Sequence, residues 1–217
     1  MPGVVSFPSC SMQAKDMGSG YLISPLMLVV NTVFDLYVAL VLLRFLLQML
    51  RADFYNPVSQ FIVRVTTPPL RPLRRVIPSV GGQDTAAIVL CLLVIYAKFV
   101  LMRLLSIPAV HIGNAIAPVG AVSYAGLLVF SIADLVALTF SVFLVAVFIQ
   151  VIFSWINPGA YNPAIGLVNK IAEPVLRPLR KLIPPIGGID LTPMVAILGL
   201  MVAKMLVVPP LVLLGGF

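Results

Sequence analysis

Four ionisable side chains lie where hydrocarbon would be expected: Asp35, Lys98, Asp134 and Lys204 each fall inside a long apolar run. Such groups are costly in a bilayer and usually face a bundle interior or a water-filled space. Two acids and two lysines can line a path for ions or protons, or neutralise one another and fix helix register. Asp35 lies about nine residues from the outer end of its run and Lys98 about eight from that end of the next. At ~1.5 Å per residue their depths match to within a few ångströms, so they are expected to pair. Lys204 is expected to reach Asp134, two turns outward, by snorkelling. Arg44 and Gln150 lie near the inner ends of their runs, where an arginine can reach lipid phosphate.

Outside this set the chemistry is sparse. His111 is the single histidine, so neither an HExxH zinc site nor a bis-histidine haem site can be built from this chain alone. Cys10 and Cys91 lie on unrelated segments, and Cys91 falls within an apolar run, which disfavours a disulfide. No CxxC, Walker loop or GxGxxG is present, and the Gly81-Gly82 turn lacks the lysine of a phosphate loop. The residues point away from an enzyme, with no cofactor and no metal expected.

The elements that hold these charges are membrane spans. Hydrophobic residues make up 61% of the chain and charged residues 10%, far below the quarter typical of soluble domains, and mean hydropathy is +1.13. Four runs exceed or approach the ~20 residues needed to cross a bilayer: 26–50, 85–106, 117–155 and 191–214. The third is overlong. As one helix it would reach roughly 58 Å against a hydrocarbon core of about 30 Å. It is either one tilted, projecting helix or a span preceded by a separate short or surface-lying piece over 117–130. Residues 1–24 lack a basic n-region and an apolar h-region, and are expected to form a flexible, disordered tail. Met12 or Met17 could equally be the start.

The chain writes one stretch twice. Pro68 to Asp84 reads PPLRPLRRVIPSVGGQD and Pro174 to Asp190 reads PVLRPLRKLIPPIGGID, at a spacing of 106 residues (174 − 68), with eleven of seventeen positions identical. The register continues at Tyr55-Asn56-Pro57 against Tyr161-Asn162-Pro163 and at Ala97-Lys98 against Ala203-Lys204. An internal duplication sets the architecture: a first repeat over 25–106, a connector over 107–130 that is a candidate short or surface helix, and a second repeat over 131–214. Both repeated loops are rich in Arg and Lys while the connector carries none. Such loops mark the cytoplasmic side. Two spans between them keep both on that side and put both termini outside. Trp155, Tyr55 and Tyr161 suit an interfacial aromatic belt.

Within each loop Asn56-Pro57 and Asn162-Pro163 read as an N-cap followed by proline at the first helical position. One short helix is expected to about Thr67 or Glu173, and a second from Pro68 or Pro174. In the second, Leu70, Leu73 and Ile77 share one side, opposite Arg71, Arg74 and Arg75; the equivalents are Leu176, Leu179, Ile183, Arg177, Arg180 and Lys181. This is the pattern of a helix in the headgroup plane, with guanidinium groups toward anionic lipid. Glycine pairs then turn the chain, and Asp84 and Asp190 are placed to cap the next span. The fold class is therefore an all-α membrane protein: four transmembrane helices as two tandem parallel hairpins, each with short amphipathic helices in its cytoplasmic loop.

The doubled motif, with FYNPVSQFIVRVTTP and AYNPAIGLVNKIAEP before its two copies, resembles the YggT family of small bacterial membrane proteins over residues 25 to 214. That resemblance implies a multi-pass protein of the bacterial inner membrane with two YggT units, and an association with osmotic-stress tolerance. Plastid and cyanobacterial relatives are associated with b-type haem attachment, nucleoid distribution and cell division. It supplies no catalytic residues. Function is then expected to be that of a non-enzymatic scaffold or assembly factor. Its partners would be membrane lipids and a protein or a second copy, with no specific nucleic acid. The alternatives are a small ion channel or transport component and, more weakly, a haem assembly factor.

Overall fold

The computed structural model describes residues 11–51, 56–79, 82–156, 163–182 and 190–216, with side chains from Pro25 onward except at 155–156. The chain runs α1 (Ser11–Met49), α2 (Pro57–Val76), α3 (Thr85–Leu104), β1 (Val110–Ile112), β2 (Ala115–Ala117), α4 (Tyr124–Ile156), α5 (Pro163–Leu182) and α6 (Thr192–Gly215). Four segments are long and apolar enough to cross a membrane: Pro25–Met49, Thr85–Leu104, Tyr124–Ser154 and Thr192–Gly215. The protein is a multi-pass α-helical membrane protein.

Helix α1 lies against α3, and α4 against α6, while α3 also packs on α4 and is the most enclosed of the four spans. Lipid is as apolar as leucine, so helices in a bilayer associate through close packing and polar contacts rather than water exclusion. The α4–α6 contact uses glycine for this purpose. A methyl group at Gly126 would come within 2.3 Å of the Gly215 carbonyl oxygen, so only glycine allows the two backbones to approach. The outer rows of α6, including Leu198, Met205 and Leu206, remain exposed and form its lipid face.

The overlong apolar run resolves as one helix. Residues 117–130 do not form a separate helix: Ala117 ends β2, and α4 starts at Tyr124 and continues for 33 residues, about 50 Å at 1.5 Å each. Its start has a capping residue, for the Ser123 hydroxyl accepts the Gly126 N–H at 3.1 Å. No proline follows within α4 to break it. The connector is an antiparallel hairpin with Ile112 opposite Ala115, and Gly113 takes φ +60° in its two-residue turn. That position favours glycine in hairpin turns whose first central residue has positive φ.

The two short helices expected in each loop are one. Helix α2 continues through Pro68, Pro69 and Pro72, and α5 through Pro174 and Pro178. Proline removes a helical hydrogen bond, which favours a break. Tertiary packing outweighs that cost here. The buried stripe Ser59, Ile62, Thr66, Leu70 runs without interruption along α2, matched by Leu167, Ile171, Ala172 and Leu176 on α5. Breaking either helix would turn half its stripe away from the spans. Asn56 caps α2, its Oδ1 accepting the Val58 N–H at 2.9 Å, with Pro57 in the first turn. The expected roles of Tyr55, Tyr161, Asn162, Ile183, Gly81, Gly187 and Gly188 fall outside the described residues, as does the side chain of Trp155.

Candidate functional site: a shared charge cluster and two basic helices

Helices α2 and α5 lie at the same end of the bundle. Asn56 Nδ2 donates to the Pro163 carbonyl at 2.5 Å, and Lys170 Nζ to the Arg51 carbonyl at 2.9 Å. The β-hairpin packs against α4 and α6. Gly113 rests on the aliphatic stem of Lys204, where an added Cβ would lie 3.1 Å from Cε.

Between the ends sits the charge cluster. Lys98 is 2% exposed on α3 and donates to two carboxylates, Asp35 Oδ1 on α1 at 2.7 Å and Asp134 Oδ2 on α4 at 2.5 Å. The first contact is within a repeat and the second crosses between repeats. Lys98 also lies 5.0 Å from the centre of the Phe99 ring. Contrary to the sequence expectation, Lys204 does not bond Asp134; its Nζ donates to Ser141 Oγ at 2.9 Å. Ser141 is the repeat equivalent of Asp35, so both repeats build the same lysine contact between their two spans. Only the partner differs. Lys98 takes Asp134 because that acid lies 8% exposed in the α3–α4 contact, where an unpaired charge would be costly. Formally the Asp35–Lys98–Asp134 group has one excess negative charge and the Ser141–Lys204 pair one positive. Asp35 is the exposed member, with 36% of its side chain accessible.

The six basic residues singled out on the loops divide into two classes. Arg74 pairs with Asp84 through both Nε and Nη2, and the equivalent Arg180 lies 3.6 Å from Asp190 and 3.5 Å from Glu173. These two arginines tie each amphipathic helix to the start of the following span. Asp84, expected as a side-chain cap for α3, makes no capping bond and serves Arg74 instead. Asp190 does both, its Oδ1 accepting the Thr192 N–H at 2.9 Å. Hydrogen bonding from Thr192, with Arg180 nearby, holds the Asp190 carboxyl below the usual carboxylate range. Arg71, Arg75, Arg177 and Lys181 form the other class: all are exposed, and none makes an ion pair among the described residues.

Two positioning residues escape the sequence reading. Arg44 is 7% exposed, and its Nη1 turns inward to α2, donating to Val63 O at 3.2 Å and to Thr66 and Thr67 Oγ1 at 2.9 Å each. It pins α2 to α1. The second repeat has Gln150, Ala172 and Glu173 at the corresponding positions, and Gln150 Oε1 is buried without a partner among the described residues. Arg103 Nη1 donates to Val122 O at 2.6 Å and stacks 4.7 Å from the Tyr124 ring, fixing where α4 begins.

No group of three or more metal-ligating side chains forms among the described residues. His111 is exposed on β1 between buried Val110 and Ile112. One outward imidazole does not fit a b-type haem held by this chain's histidines alone.

Two like halves, each with two apolar spans and a basic amphipathic helix at a shared end, define a tandem-repeat multi-pass membrane protein. The chain belongs to the CCB3/YggT family, whose profile matches twice, over residues 23–105 and 129–211, at the offset of the loop motif. It is 46% identical over 188 residues to an uncharacterised protein of Pseudomonas aeruginosa, covering 87% of this chain and 90% of that one. An uncharacterised Vibrio alginolyticus protein is 39% identical over 178 residues, 82% of this chain and 90% of the relative. The YggT protein of Escherichia coli is 36% identical over 177 residues, 81% and 85% respectively. None of these relatives has an enzymatic name. No solved structure matches the chain.

Proposed function

We propose that this protein is a non-enzymatic scaffold of the bacterial inner membrane, presenting α2 and α5 side by side on the cytoplasmic face. The observation that carries this reading is the division of the basic residues. Arg74 and Arg180 are used internally, whereas Arg71, Arg75, Arg177 and Lys181 point outward at equivalent places on both helices. Structural anchoring accounts for the first class and leaves the second for an external anion. Four cations on a paired helical surface suit anionic lipid and an acidic face of a protein partner or second copy. The stress-related role follows from the family resemblance and depends on that partner.

The test is charge reversal of Arg71, Arg75, Arg177 and Lys181 together, followed by crosslinking from α2 and α5 in native membranes. The reading expects the crosslinked partner to disappear while the protein still inserts and folds. An unchanged crosslinking pattern would overturn it.

A second reading, an ion or proton path, is favoured by the excess negative charge around Lys98 and the partial exposure of Asp35. It expects flux in liposomes that Asp35→Asn and Lys98→Met alter. Liposomes tight to protons and monovalent cations would remove it.

A further inference from the structure

A second polar site lies between α1 and α2, away from both the charge cluster and the exposed basic face. Arg44 and Gln48 on α1 and Gln60, Val63 and Arg64 on α2 line an open pocket of about 490 Å³, with Gln60 and Arg64 exposed at its rim. Arg44 is the unusual member. All three of its hydrogen bonds leave from Nη1, so Nε and Nη2 are without a partner among the described residues. No described carboxylate lies within ion-pair distance of Arg44 or Arg64: the described acids in ion pairs are Asp84, Asp35, Asp134, Glu173 and Asp190, held by other residues. Arg44, 7% exposed in the last turns of a span, is balanced only in part by Asp84, whose carboxylate is bonded to Arg74, and it shares this pocket with a second cation, Arg64; the pair suits an added anion.

We propose that Arg44 and Arg64 bind one phosphate ester, the headgroup phosphate of an anionic phospholipid. A planar guanidinium fork matches two phosphate oxygens. The depth fits this source. Arg44 and Gln48 occupy the last two turns of the α1 span, and α2 has one buried stripe with the rest of its surface partly or fully exposed.

The second repeat provides an internal control. The corresponding positions are Gln150, Ser154, Gly166, Asn169 and Lys170. Lys170 is already committed to the Arg51 carbonyl. The duplicated fold therefore carries one such site. It shares no residue with Arg71, Arg75, Arg177 or Lys181, so its loss and the loss of the scaffold surface are read separately.

The test uses the full chain in uncharged detergent, with native mass spectrometry for retained lipid. The probes are phosphatidylglycerol, diacylglycerol with the same acyl chains, and inorganic phosphate. Phosphatidylglycerol is retained at one per chain and diacylglycerol is not. Arg64→Gln weakens retention about tenfold, the scale of one charge-assisted contact, whereas Lys170→Gln changes it less than about twofold. Arg44 also holds α2, so Arg64 is the residue to vary, and a melting curve of Arg64→Gln confirms that the fold is intact. Retention that survives millimolar inorganic phosphate supports the lipid source. Displacement by phosphate alone overturns that source and assigns the site to a soluble phosphate ester. Equal retention of diacylglycerol, or equal effects of the two substitutions, overturns the site.

Discussion

The two repeats are one design executed with different polar parts. In both, a lysine on the second span reaches the first span, and an arginine on the amphipathic helix reaches the aspartate before the next span. Lys98 meets Asp35 and then Asp134, whereas Lys204 meets only Ser141. Arg44 pins α2 and lines a pocket, whereas Gln150 has a buried oxygen without a partner among the described residues. Contacts present in both copies are those the fold needs. Those present in one copy have been freed to differ, among them the Lys98–Asp134 bridge and the Arg44 pocket, whereas the exposed cations of α2 and α5 recur in both copies.

The sharpest way to break this comparison is to remove each lysine. Lys98→Met leaves Asp35 and Asp134 facing each other without a counter-charge. It should cost about 3–5 kcal/mol, the range for a buried pair stripped of one partner. Lys204→Met leaves only a serine hydroxyl and should cost under about 2 kcal/mol. Reversible unfolding in mixed micelles would measure both. Equal losses would mean that the cross-repeat bridge contributes nothing of its own.

The helix-to-span ties give a smaller contrast. The Asp84 side chain is 6% exposed and that of Asp190 is 48% exposed. Arg74→Gln should cost about 1–3 kcal/mol by leaving a buried carboxylate, and Arg180→Gln less than about 1 kcal/mol. Thermal melts of the single and double variants would sharpen or erase the difference. Gly113→Ala falls in the lower part of the Arg74→Gln range. It must adopt φ +60° and displace Lys204, at a cost of about 1–2 kcal/mol, visible in the same melts.

The smallest effect is a pH dependence. Asp190 is held below the usual carboxylate range by Thr192 and Arg180, so its folded value lies below its unfolded one. Its contribution is complete above the unfolded value of about 4 and is lost as pH falls through the lower folded value. Stability measured across that acid window should slope downward with falling pH, and Asp190→Asn should flatten part of the slope.

Much of this was legible in the sequence because a duplication repeats its own signals. The four spans follow from run length, and the basic helices from a motif written twice. The joining of α2 across Pro68 and Pro69 was not legible, because local backbone chemistry argues for a break there. Only the placement of Ile62, Thr66 and Leu70 against other helices decides it. The Lys98–Asp134 contact was hidden for a related reason. Repeat equivalence predicts contacts within a copy, but the packing of α3 on α4 joins the copies. The partner of Arg44 was hidden because hydropathy assigns a terminal arginine to lipid, while paired threonines in a loop carry no periodic signal.

The central claim is that both basic helices occupy one side of the membrane. In a cysteine-free background carrying Arg75→Cys or Lys181→Cys, a membrane-impermeant maleimide should label both positions from the cytoplasmic side in inverted vesicles and neither in intact spheroplasts. Labelling of one position from each side would contradict the account. The shared surface of α2 and α5 could then not exist.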